Sequence, residues 1–209
     1  KIAPTGVANY VWQLVKNLLE IDKSNQYILF FDFKVQDKDV KRFTQPNVKI
    51  KFFPFSDYKK YMPAAYSEIL GMATFAREKM DVLHTTSPLF RVPATYRGKI
   101  VTTFYDFAPY RMPELFPKLS NAKLKTLYSF AAKKSDHIIA VSESTKKDAR
   151  EFLGYPAEKI TTIHNGIDKR FSEEGNYSRD DLKKGYGILD KYILFLGTLE
   201  PRKNLSRVL

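Results

Sequence analysis

Tyr192 to Asn204, YILFLGTLEPRKN, opens as an uninterrupted apolar run and turns at Gly197 into a polar loop that carries Arg202 and Lys203. An apolar run of this length, closed by a glycine, reads as a strand covered on both faces, as in a parallel sheet. A strand that ends in a glycine turn and paired cations ahead of an incipient helix is a candidate anion seat. The reason is that helix N-terminal amides and basic side chains both attract phosphate. The same sequence of apolar strand, polar tip and helix recurs through the rest of the chain.

Composition sets the outer bounds. The 209 residues are 44% hydrophobic, enough to bury a core. Lysine and arginine number 35 against 23 aspartates and glutamates, a net charge of +12. An anionic partner is therefore expected, but charge does not choose among nucleotide, anionic lipid and nucleic acid. The absence of cysteine excludes a disulfide framework and thiolate metal sites, and is compatible with a reducing compartment. The apolar runs are strand-length, so no membrane-spanning helix or secretory signal is read. Lys1 rather than Met opens the sequence, and only KIAPT precedes Gly6, which reads as a fragment trimmed at both ends.

From Val7, the residues Val7, Tyr10, Val11, Leu14, Val15, Leu18 and Leu19 fall on one face at helical spacing. Thr5-Gly6 just before them is either a tight loop that brings amides to a ligand or a structural helix start. Tyr27 to Phe33, YILFFDF, reads as a buried parallel strand. Asp37 and Asp39 offer two carboxylates to a divalent metal, but Lys38, Lys41 and Arg42 favour a solvated charge run. Val48 to Phe53 is the next strand. After it, aromatic residues interleaved with Lys59 and Lys60 suit either a membrane interface or packing beneath a loop. A helix weakened by Gly71 is read over Ala65 to Lys79.

Asp81 to His84 ends a short strand, and His84 at its tip is either a ligand contact or a hydrogen-bonded structural histidine. Lys99 to Phe104 is a strand followed by YDFAPYRMPELF, whose prolines are read as preventing an immediate helix. Tyr105, Asp106, Arg111 and Glu114 in that segment are placed to meet a substrate, although Asp106 could equally cap a turn. A basic helix is read from about Ser120 to Lys134, a strand over His137 to Val141, and a helix capped at Ser142 that ends at Gly154. Lys159 to Ile163 is the next strand. It leads into His164-Asn165-Gly166-Ile167-Asp168, a turn expected to use positive φ, and then a linker-like stretch from Ser172 to Gly187.

Alternating strands and helices indicate a parallel α/β sheet of Rossmann type with flanking helices. Its polar clusters follow strand C-termini and so share the rim on which such sheets bind ligands. No G-x-S-x-G elbow, Walker loop, zinc-spaced Cys/His set or full G-x-G-x-x-G occurs. Serine hydrolase, P-loop and dinucleotide oxidoreductase chemistry therefore have little support.

Five stretches in order carry a resemblance: TGVANYVWQLVKNLLEID, YDFAPYRMPELF, VSESTKKD, HNGID and LGTLEPRKNL. Together they resemble the motifs of retaining glycosyltransferases of family 4, which have the two-domain GT-B fold. The resemblance implies transfer of a sugar from a nucleotide-diphosphate donor to a glycan or lipid-linked acceptor with retained anomeric configuration. It also implies no bound metal or other cofactor; no nucleic-acid partner is expected, since no recognised binding motif accompanies the charge.

Under that resemblance, residues 1–185 correspond to the N-terminal acceptor-side domain, with its first strand missing, and residues 186–209 to the start of a truncated nucleotide-sugar domain. Gly6, Arg202 and Lys203 match positions at the donor diphosphate. Tyr105 and Asp106 are the candidate catalytic pair, with tyrosine standing where many members have histidine. His84, Arg111 and Glu114 are candidate acceptor contacts. The family's paired-glutamate motif is not in the sequence, so the fragment is expected to be inactive alone. A cytoplasmic location with peripheral contact to the inner membrane face is expected. The other reading is a non-catalytic basic module for anionic membrane or glycan.

Overall fold

The computed structural model describes residues 6–32, 35, 40–53, 64–168, 171, 178–187, 191–197 and 199–207. Helix α1 covers Gly6–Ile21, as the apolar spacing requires, and buries Leu19. Asp22 shapes the exit from it. Its carboxylate accepts from the Tyr27 hydroxyl at 2.6 Å, from the Asn25 side chain at 2.6 Å and from the Ser24 amide at 2.9 Å. These bonds, the Tyr27 hydroxyl foremost, hold the Asp22 carboxyl well below the usual carboxylate range.

Strands β1 (Tyr27–Asp32) and β2 (Val48–Phe53) pair in parallel, with Tyr27 opposite Val48 and Asp32 opposite Phe53. Helix α2 (Ala64–Arg77) follows. Within it, Gly71 is explained by packing rather than propensity. A Cβ there would lie 2.7 Å from Cγ of Pro93, so only glycine allows this approach. Asp37, Asp39 and the aromatic-lysine stretch over 54–63 lie outside the described residues.

Strands β3 (Val82–Thr85), β4 (Lys99–Phe104), β5 (His137–Ala140) and β6 (Ile160–Thr162) form a parallel sheet in chain order. Helices α3 (Ala108–Arg111) and α4 (Lys118–Lys134) connect β4 to β5, and α5 (Glu143–Leu153) connects β5 to β6. Parallel neighbours require such crossovers, because a strand must return to its starting edge before pairing again. Phe30 of β1 meets Phe75 of α2 edge-on at 5.3 Å, next to the core cluster of Leu83, Val92 and Ile100. The second core cluster surrounds Phe104, which is fully buried and lies 5.6 Å from both Phe107 and Tyr128. The fold is thus the expected parallel α/β class, with its described strands divided between a two-stranded and a four-stranded sheet.

The cap at Ser142 is as read from sequence. Its hydroxyl accepts from the Thr145 amide at 3.1 Å, and Gly154 closes α5 at φ 62°, in the left-handed region.

Four local expectations are corrected. Pro109 lies in the first turn of α3 and Pro113 opens a 3-10 turn, Pro113–Leu115, because proline at a helix start gives up an amide that has no partner there anyway. Neither Asn165 nor Gly166 adopts positive φ, and the segment runs as exposed, irregular chain. The linker-like stretch contains helix α6 (Arg179–Tyr186), closed by a reciprocal Ser178–Asp181 capping box and by Gly187 at φ 64°. Tyr192 to Leu196 forms no strand. Ile193, Leu194 and Leu196 are 80%, 75% and 93% exposed, since no described strand lies alongside to complete a ladder.

Candidate functional site

The parallel register of β3 to β6 brings Thr85, Phe104, Ala140 and Thr162 to one edge, so the segments that follow them share a rim. Tyr105 leaves β4 there and is tied at two points. Its hydroxyl donates to the Thr86 carbonyl at 2.7 Å, and its own carbonyl accepts from the Thr145 hydroxyl at 3.0 Å. The edge of the Tyr10 ring meets Tyr105 at 5.2 Å, which places α1 over the tip of β4. Burial pushes the Tyr105 phenol up, with Tyr10 adding to the effect, so the side chain stays neutral and keeps its donor proton.

His84 is brought to the same place from β3. Its Nε2 lies 2.8 Å from the hydroxyl of Thr103, a fully buried residue of β4. Burial pushes the His84 imidazole down, favouring the neutral ring. Burial raises the Tyr10 phenol, with the nearby Thr103 side chain opposing the shift. Thr103 therefore stands between two candidate groups. Sequence reading missed Tyr10, Thr86 and Thr103, because Tyr10 looks like any apolar-face helix residue and a strand threonine like any β-former. Only strand register shows that they converge with His84.

Asp106 is exposed, and its Oδ1 accepts from the Ala108 amide at 3.0 Å, so the turn-capping role is real. It also borders a cavity of ≈ 470 Å³ shared with Leu124, Tyr128, Glu200 and Pro201. The capping bond and the ligand-facing position are thus compatible.

Arg111 goes elsewhere. Its Nε lies 3.0 Å from Asp148 Oδ1 and its guanidinium reaches Glu151 Oε2 at 2.7 Å, both on α5, with Phe152 beneath at 4.6 Å. Asp148 is buried, and Arg111 is the cation that balances it. The residue expected at an acceptor is thus the clamp between α3 and α5. Glu114 is exposed in the 3-10 turn, but the cavity is bordered by its neighbours Leu115 and Phe116 rather than by Glu114 itself.

Gly6 is the exposed first residue of α1, and nothing lies within 4 Å of where a Cβ would be, so local packing does not demand glycine there. Arg202 and Lys203 occupy the 3-10 turn Pro201–Lys203. Lys203 is exposed and its amide donates to Glu200 at 2.9 Å, while the Arg202 side chain lies outside the described residues. Gly6 does not border the cavity that Glu200 and Pro201 reach. Among the described residues there is no group of three His, Cys, Asp or Glu arranged to hold a metal ion, and no helix long and apolar enough to cross a membrane.

Residues 4–171 match the family model described as Glycosyltransferase Family 4. O-antigen chain mannosyltransferase B of Escherichia coli is 23% identical over 212 residues, covering 98% of this chain and 55% of that protein. A serotype-specific mannosyltransferase WbdA of Escherichia coli is 22% identical over 208 residues, covering 94% of this chain and 25% of its own. Another protein of that name is 27% identical over 145 residues, covering 66% of this chain and 17% of its own. The chain thus spans about half or less of the length of these relatives. The family match extends over the parallel sheets and the rim built from Tyr10, His84, Tyr105 and Asp106, and on it the chain belongs to glycosyltransferase family 4.

Proposed function

We propose that the protein takes part in transferring a sugar from a nucleotide-diphosphate donor to a glycan or lipid-linked acceptor, with retained anomeric configuration. The relatives named as mannosyltransferases favour mannose as the sugar moved. The observation that carries this reading is the convergence of Tyr10, His84, Tyr105 and Asp106 at the strand C-termini within the family match.

In this reading the Asp106 carboxylate accepts a hydrogen bond from the acceptor hydroxyl that attacks the donor sugar. Tyr105, its proton committed to the Thr86 carbonyl, is a positioning residue that fixes the backbone on which Asp106 stands. Neutral His84 orients a hydroxyl without adding charge. The N-terminal amides of α1 beginning at Gly6, together with Arg202 and Lys203, face the donor diphosphate. Fixed dipoles and cations act most strongly there, because the leaving group gains charge in the transition state. Arg111 contributes by holding α3, and with it the segment that follows Asp106, against α5. Glu114 remains a candidate acceptor contact on the outer side of that segment. A division into an acceptor-side unit over residues 1–185 and the start of a donor-side unit over 186–209 is part of the same proposal.

The test is to incubate the full encoded protein with GDP-mannose, UDP-glucose and other nucleotide sugars and an oligosaccharide acceptor, following the product by anomeric NMR. Transfer with the donor's anomeric configuration retained is expected. An inverted product, or neither transfer nor donor hydrolysis with any donor, would overturn the proposal.

A further inference from the structure

The cavity beside Asp106 has a character unlike the rest of this strongly basic chain. Its ≈ 470 Å³ falls within the range of about 300–1,000 Å³ usual for small-molecule sites. Leu115, Phe116 and Leu124 supply an apolar wall, Asp106 supplies a carboxylate, and no lysine, arginine or histidine borders it among the described residues. On a molecule of net charge +12, a hollow without a cation is a poor seat for a diphosphate or any other anion.

Tyr128 gives the second, independent observation. It is 8% exposed, its ring is held edge-on by Phe104 and Phe107, and it borders the cavity. Its hydroxyl has no hydrogen-bond partner among the described residues. The Tyr128 hydroxyl is not one of the enclosed side-chain atoms left without a partner, so it stays open to solvent and can bond a ligand in the hollow that its residue borders. Asp106 borders the same hollow as Tyr128. Burial, with Asp106 adding, pushes the phenol up, so the group stays protonated and can both donate and accept. Two turns earlier on the same face of α4, the buried Asn121 Oδ1 lacks a partner among the described residues.

We infer that this cavity is a subsite for one uncharged sugar ring of the acceptor, seated by its C–H face on the apolar wall and by two hydroxyls on Asp106 and Tyr128. Pyranoses offer this combination of an apolar face and equatorial hydroxyls, and a hydroxyl donating to Asp106 satisfies the carboxylate that a uronate would repel. The assignment rests on the transferase reading above for the word acceptor, but its chemistry concerns binding alone.

The experiment uses the full encoded protein without donor, and compares methyl α-mannobioside with methyl glucuronide by saturation-transfer NMR and titration. The mannobioside is expected to bind at least about tenfold more tightly than the glucuronide, since a like charge beside Asp106 is unfavourable. Tyr128→Phe, which keeps the ring packing, is expected to weaken mannobioside binding about tenfold, the effect of one hydrogen bond. Leu124→Trp, which fills the hollow, is expected to abolish binding, and if that variant fails to fold, Tyr128→Phe decides the matter. Comparable binding of the glucuronide, or unchanged affinity in Tyr128→Phe, would overturn the inference. Donor hydrolysis by the unmodified protein is measured separately. Hydrolysis without mannobioside binding refutes the subsite alone, and mannobioside binding without hydrolysis or transfer refutes the transferase reading alone.

Discussion

His137–Ala140 and Tyr192–Leu196 look alike as sequence, HIIA and YILFL, yet they end in opposite states. In β5, Ile138 and Ala140 are fully buried between β4 and β6, and every residue of the strand has a ladder partner on at least one side. In the later stretch, Leu196 is 93% exposed and no described strand runs alongside. The difference teaches that an apolar run is a demand for neighbours, not a strand in itself. Helix α5 can be specified largely by its own residues, from Ser142 to Gly154, whereas a parallel strand depends on chain supplied from far away.

The largest effect that could break this comparison comes from matched truncations. Phe104→Ala is expected to cost about 3–5 kcal/mol, because it empties the centre of the core around β4 and β5. Leu196→Ala in the same polypeptide is expected to change stability by less than about 0.5 kcal/mol. Urea midpoints of both variants measure the contrast, and a loss of several kcal/mol in Leu196→Ala would show that the later stretch is buried after all.

A smaller contrast uses two serine caps of the same design. Ser142→Ala, at the start of a helix packed on the four-stranded sheet, is expected to lower global stability by about 1 kcal/mol. Ser178→Ala opens the exposed α6 cap, and is expected to speed amide exchange in Arg179–Tyr186 while leaving the global urea midpoint unchanged. A shift of the global midpoint by Ser178→Ala would mean that α6 folds as one unit with the sheet.

The smallest effect is a slope with pH. Since burial lowers the His84 pKa, the unfolded chain takes up its proton first as pH falls below about 6.5, the ordinary histidine value. Stability should therefore be insensitive to this group above about pH 7 and should decline from about 6.5 towards the lower folded value. His84→Gln should flatten that part of the curve in urea titrations between pH 7.5 and 5.5. An equal slope in the variant would place the proton uptake elsewhere.

Much of the architecture was legible because its causes are local or periodic. The apolar runs located β1 to β6 to within a residue or so, the helical spacing from Val7 located α1, and Ser142 with Gly154 bracketed α5. What was not legible has long-range causes. Arg111 is written as an exposed loop cation, and only the fold reveals that Asp148, buried 37 positions later, claims it. Asn165-Gly166 has the composition of a tight turn, but composition gives only permission for positive φ, and the chain there runs on as exposed, irregular backbone. Tyr128 reads as a helix-face aromatic like its neighbours. That it borders the same hollow as Asp106 depends on where β4 ends and α4 begins to pack.

Tyr105 joins the rim through two unlike attachments, one made by its side chain to Thr86 and one made by its main chain to Thr145. Any residue has a carbonyl, so the tie to α5 survives every substitution at this position, while the tie to β3 belongs to the phenol alone. Substitution at position 105 therefore loosens the rim on the Thr86 side while leaving it moored to α5.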